Sequence, residues 1–96
     1  MLTSKQRAKL KGIASTTETI LQVGKGGVGE QLIKQVDDAL TARELVKLRL
    51  LDTVPETPDE TAQALADATG SQVVQVIGRR VVLYRRNPKK PVITLE

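Results

Sequence analysis

The chain has 96 residues, 40% of them hydrophobic and 27% charged, which suits one compact soluble domain with a single modest core. It contains no Cys and no His, which excludes disulfides, thiol nucleophiles, the usual zinc sites and the commonest general base at neutral pH. The net charge of +4 hides a division: residues 1–17 carry four cations and no acid, residues 28–70 nine acids against four cations, and residues 78–96 six cations against Glu96.

In chain order, Met1-Leu2-Thr3-Ser4-Lys5 has no apolar run behind its basic residue, so no secretory signal is expected. No segment approaches the roughly 18 to 20 apolar residues that cross a bilayer, and the cytoplasm is the expected location. Residues 3–14 read as a helix. Thr3 and Gln6 have capping-box spacing, and Gln6, Leu10, Ile13 and Ala14 share one face. Lys5 and Lys9 flank that face on one side, Arg7 and Lys11 on the other. Thr19–Val23 reads as a short strand, broken by Gly24-Lys25-Gly26-Gly27, and Val28–Leu40 as a helix with core spacing.

Leu45–Leu51 is a strand whose Val46, Leu48 and Leu50 point one way while Lys47 and Arg49 point the other. Thr57-Pro58-Asp59-Glu60 starts a third helix, with a cap, a Pro at the first helical position and a Glu three residues after the cap; it stops at Gly70. Gln72–Ile77 and Arg80–Arg85 are strands joined at Gly78-Arg79, a two-residue hairpin with glycine first, as a type II′ turn prefers. Asn87-Pro88-Lys89-Lys90-Pro91 begins a basic tail, and Val92–Leu95 is either a short edge strand or disordered. The expected fold is α+β, an α/β two-layer arrangement in the order α-β-α-β-α-β-β. A four-stranded mixed sheet is packed by helices in one domain spanning residues 1–96, with a tail over 87–96 that is expected to be flexible.

The segment richest in chemical meaning is Gln22-Val23-Gly24-Lys25-Gly26-Gly27-Val28. Glycines between a strand and a helix let a ligand approach the main chain, and amides at a helix start favour an anion. A nucleotide-binding P-loop would need Ser or Thr after its Lys, which is missing. Gly24-x-Gly26-x-x-Gly29 matches a dinucleotide fingerprint, but the acids that follow lack a ribose-binding setting and the chain is short for that fold. Two readings remain: a G-x-x-G turn clamping a nucleic-acid backbone, or a plain turn needing flexible glycines.

Basic residues favour the clamp. Lys5, Arg7, Lys9 and Lys11 precede it, Arg79 and Arg80 occupy the hairpin, and Arg85, Arg86, Lys89 and Lys90 follow the last strand. Tyr84, the single aromatic residue, fits a core position better than a stacking platform. The scarcity of aromatics points to structured or double-stranded RNA read by shape. Asp37-Asp38 and Asp59-Glu60 are adjacent on helices and do not converge, so no catalysis is expected, nor any cofactor, metal, membrane or small-molecule substrate.

Four segments together resemble the stand-alone bacterial CRM-domain proteins of the YhbY type, whose plant relatives carry CRM domains in chloroplast splicing factors. They are Lys9-Leu10-Lys11-Gly12-Ile13-Ala14, Gln22–Val28, Glu44-Leu45-Val46-Lys47-Leu48-Arg49, and Val76–Arg85 with Ile77-Gly78-Arg79-Arg80 at its start. The chain departs from that family at Glu18-Thr19, where a Pro often stands, and over Leu51–Pro58, which looks irregular. The resemblance implies a fold similar to the C-terminal domain of bacterial translation initiation factor three. It also implies RNA binding through Gly24, Lys25, Gly26 and Gly27, and association with precursors of the large ribosomal subunit. Lys5, Arg7, Lys9, Lys11, Arg79, Arg80, Arg85 and Arg86 are expected to extend the RNA contact of a monomer. The alternative is a protein-interaction module docking its basic face on an acidic partner.

Overall fold

The computed structural model describes residues 2–24, 26–89 and 91–93. Seven elements follow in the expected order: α1 (Ser4–Ser15), β1 (Leu21–Val23), α2 (Glu30–Arg43), β2 (Leu45–Leu50), α3 (Pro58–Thr69), β3 (Gln72–Ile77) and β4 (Arg80–Tyr84). Helices α1 and α3 begin with complete capping boxes, Thr3 with Gln6 and Thr57 with Glu60, each satisfying two amides that a helix start leaves open. Helix α3 ends on Gly70 in the left-handed conformation. Helix α2 starts two residues later than its apolar spacing predicts, because Gly29 is extended and the Val28 amide is bonded to a distant side chain, Glu56. It also runs three residues further, to Arg43.

The sheet order is β1-β2-β4-β3. β1 and β2 pair parallel, and β2–β4 and β4–β3 pair antiparallel. In the hairpin, Ile77 pairs with Arg80; Gly78 has φ +55° while Arg79 is not left-handed, the combination a type II′ turn requires. Strand alternation sends side chains to two faces. Val46, Leu48, Leu50, Val81 and Leu83 pack with α2 and α3 through Leu32, Val36, Leu40, Ala62 and Leu65. Leu45, Val82 and Tyr84 pack with Leu10 and Ala14 of α1. The expected pair of layers is thus the sheet with α2 and α3, and α1 adds a layer on the opposite face. Tyr84 is a core residue beneath it.

Glu44, between α2 and β2, ties the far end of the sheet together. It is fully enclosed, and its φ of +65° is one that few non-glycine residues adopt. Its amide donates to Leu40 O at 2.8 Å and its carbonyl accepts from the Arg85 amide at 2.9 Å. Its carboxylate accepts from the amides of Asn87, Val92 and Ile93, each at 2.6 Å. Those amides place Val92 and Ile93 outside any strand; Thr94 and Leu95 lie outside the described residues. Burial alone would raise the Glu44 pKa, but the three donated amides and the Arg86 charge together outweigh it and hold the group below its ordinary 4.5. A depressed folded-state pKa contributes stability that is complete above about 4.5 and lost as pH falls through the folded value. Urea unfolding at several pH values should therefore show an acid-limb decline for the native chain. Glu44→Gln should be less stable at neutral pH and show a shallower decline. Glu44→Ala should cost about 2–4 kcal/mol.

Candidate nucleic-acid interface

Parallel pairing of β1 with β2 puts Val23 beside Leu50, so the glycine turn leaves the sheet at the end where β2 stops and β4 begins. The Gly27 amide donates to Gly24 O at 2.9 Å, closing a four-residue turn. Lys25, the second residue of that turn, lies outside the described residues. Gly27 has φ +64°, which a side chain would strain. Gly24 and Gly26 have neither a positive φ nor any atom within 4 Å of a built Cβ, so nothing within the described fold requires glycine there. The turn and the first residues of α2 enclose a shallow bay of about 340 Å³, lined by these glycines with Gln22, Glu30, Gln31 and Gln35. Gly29 caps α2 with no side chain, which leaves the first-turn amides uncapped on that side.

A carboxylate already stands at this bay. Glu56, from the loop between β2 and α3, accepts from the Val28 amide at 3.2 Å. A Cβ on Gly27 would come within 2.3 Å of its Oε1. The irregular stretch after Leu51 is thereby fastened to the turn.

The cations separate into two groups. Arg7, half-buried on α1, donates through Nη1 to Val73 O and, at 3.1 Å, to Val74 O. This satisfies carbonyls where the β3–β4 register shifts. Arg79 donates to Leu50 O at 3.2 Å and Leu51 O at 2.7 Å and pairs with Asp52 at 3.3 Å. Arg85 binds the Asp37 carboxylate at 2.5 Å, Thr69 O at 2.8 Å and Thr41 Oγ1 at 2.9 Å, joining α2 to the end of α3. These three guanidinium groups are engaged by carbonyls and carboxylates of the fold, Arg79 at an exposed position. Arg85 and Arg86 also follow the end of β4 opposite to the glycine turn, where Arg86 lines a separate hollow with Pro88 and Lys89.

Lys5, Lys9, Lys11 and Arg80 are exposed. Lys11 and Arg80 line one pocket on the α1 side of the sheet, together with Lys47. Lys47 and its neighbour Arg49 are the basic residues that a count of charged termini misses. The signal for them is the alternation of β2, which turns both toward α1 while Val46, Leu48 and Leu50 enter the core. Register then sets Gln22, Arg49, Arg80 and Ile77 side by side, one on each strand. The acids Asp37, Asp38, Asp59, Glu60 and Asp67 sit on α2 and α3, the other face, whereas Glu30 at the start of α2 lines the bay at the glycine turn. Among the described residues, no three acidic side chains cluster in a way that could hold a metal.

A family model described as the CRS1 / YhbY (CRM) domain matches residues 2–85. The chain is 43% identical to the "Probable RNA-binding protein YqeI" of Bacillus subtilis over 95 residues, 99% of each chain. It is 32% identical over 84 residues to the "RNA-binding protein" of Haemophilus influenzae, covering 88% of this chain and 85% of that one. The solution structure of the hypothetical protein SAV1595 from Staphylococcus aureus superposes with a TM-score of 0.83 at 43% identity, over the whole of both chains.

The Gly27–Glu56 contact is directly testable. Gly27→Ala should destabilise the chain by about 1–2 kcal/mol in urea unfolding. In a Glu56→Ala background the cost should shrink to the backbone part. An undiminished cost would assign the whole effect to the positive φ.

Proposed function

Since the chain belongs to the CRS1/YhbY (CRM) domain family, we propose that it binds RNA, gripping the phosphate backbone with the Gly24–Gly27 turn and the basic face beside it. The observation that carries this is an asymmetry of the sheet. One face presents Lys47, Arg49 and Arg80 beneath a lysine-bearing helix, at the end where the glycine turn emerges, while Asp37, Asp38, Asp59, Glu60 and Asp67 lie on the helices of the other. The names of the B. subtilis and H. influenzae relatives support the same partner. Phosphates bind such surfaces through charge and exposed amides with little regard to base identity. Lys25 would add its charge within the turn. Glu56 would have to turn away as a phosphate takes the Val28 amide.

In this proposal Lys5, Lys9, Lys11 and Arg80 make phosphate contacts, and Arg86 is a peripheral one. Arg7, Arg79 and Arg85 act mainly by holding the frame that presents them. The target is structured ribosomal RNA in precursors of the large subunit, met in the cytoplasm by a monomer that does no chemistry on it. No helix among the described residues is long and apolar enough to cross a membrane.

Gly26→Asp tests the turn, because its Cβ meets nothing and the fold should survive. Fluorescence anisotropy with a stem-loop RNA should show clearly weaker binding for the folded variant; unchanged affinity would remove the turn from the mechanism. Lys11→Ala and Arg80→Ala should each reduce the slope of log affinity against log salt by roughly one. Arg85→Ala should instead lower the unfolding midpoint. Sedimentation of cell extract with and without RNase tests the ribosomal assignment: RNase-sensitive migration with large-subunit precursors is expected. Nuclease-resistant complexes would point to a protein partner.

A further inference from the structure

The α1 side of the sheet holds a pocket that shares its cations with the phosphate grip but has apolar walls that the grip does not use. It is lined by Lys11, Ala14, Ser15, Lys47, Gln75, Ile77, Arg80 and Val82 and has a volume of about 220 Å³. That is below the ~300–1,000 Å³ of sites that take whole drug-sized molecules. Its chemistry is divided. Ala14 and Val82 are buried and form an apolar floor. Ile77 forms a wall and is 61% exposed. Three cations stand around this apolar patch, and no carboxylate lines it.

We propose that this pocket receives one unpaired nucleotide of the bound RNA, its base against Ile77 and Val82 and its phosphate among Lys11, Lys47 and Arg80. The inference rests on the RNA-binding reading and adds what that reading lacks, a place where base identity can be sensed. A base is a flat apolar body with a polar edge, and it needs both kinds of surface. The planar Arg80 guanidinium can stack on a base face, supplying what an aromatic residue supplies elsewhere. Gln75 carries both a donor and an acceptor for the base edge. Ser15 donates its hydroxyl to Gly12 O and keeps lone pairs to accept. Lys47 donates one N–H to Ala14 O at 3.1 Å, which steadies the ammonium over the pocket and leaves its other donors for a phosphate.

Geometry joins the pocket to the glycine turn. The row Gln22, Arg49, Arg80, Ile77 crosses all four strands, from the residue two before Gly24 to the pocket wall. At about 4.8 Å per strand, the row spans roughly 14 Å, short enough for one RNA element to reach both.

The test uses the full chain and two RNAs. One is a fully paired stem-loop; the other is the same stem-loop with a single unpaired nucleotide in the stem, made with each of the four bases. The native chain should bind the unpaired-nucleotide RNA more tightly. Ile77→Ser, at an exposed position, should keep affinity for the paired RNA and lose the margin by roughly fivefold or more. Gln75→Ala should change which base is preferred. Lys11→Ala should weaken both RNAs alike. Equal affinity of the native chain for paired and unpaired RNAs would overturn the pocket assignment and leave backbone binding standing. So would a margin that survives in Ile77→Ser. Failure to bind either RNA would overturn the RNA reading itself, and the pocket with it.

Discussion

An enclosed carboxylate with three backbone donors holds together the end of the molecule that the glycine turn does not occupy. Glu44 closes α2, opens β2 and, through its carbonyl, fixes the residue after β4. Arg85, positioned by that carbonyl, reaches back to Asp37, Thr41 and Thr69 and so locks both helices of one layer against the strands. A positive φ at a non-glycine residue costs on the order of 1–3 kcal/mol, and charge-assisted bonds in an enclosed site can offset that amount. Loss of the carboxylate alone leaves three amides to find water. Loss of the amides alone leaves a buried charge, which is the worse outcome.

With that end fixed, the opposite end is free to present loops. The glycine turn, the Gly78-Arg79 hairpin and the loop carrying Glu56 all leave the sheet there. Arg79 and Glu56 fasten these loops to one another by bonds to backbone groups. Backbone-held loops on a rigid sheet suit recognition of another backbone, because the donors keep fixed spacing while side chains adjust.

Much of the fold was legible in the sequence because its signals are local. Thr3 with Gln6, Thr57 with Glu60, Gly70 and Gly78 each state a boundary within four residues, and each boundary is where the sequence places it. The start of α2 lies two residues beyond the point its apolar spacing predicts because it depends on Glu56, 28 residues from Val28. The chemistry of the cations was less legible for the same reason. Charge counting treats Arg7, Arg85 and Lys11 alike, yet Arg7 faces carbonyls of an irregular ladder, Arg85 faces a carboxylate and Lys11 faces an open pocket. Lys47 and Arg49 were visible in the alternation of β2, but what lay above them depended on where α1 docks, a packing outcome. Glu44 stood inside a recognisable motif with no hint that its partners would come from the tail, beyond the matched domain.

The carboxylate of Glu56 gives the glycine turn a property that neither glycine nor lysine confers. Any anion that takes the Val28 amide must exchange with a charge that is already there, so the amide passes from one negative partner to another without an unpaired interval. Arrival and departure then become substitutions between similar bonds. Such an exchange lowers the net gain from each encounter and also lowers the barrier to release. A surface of this kind favours brief occupancy over permanent attachment.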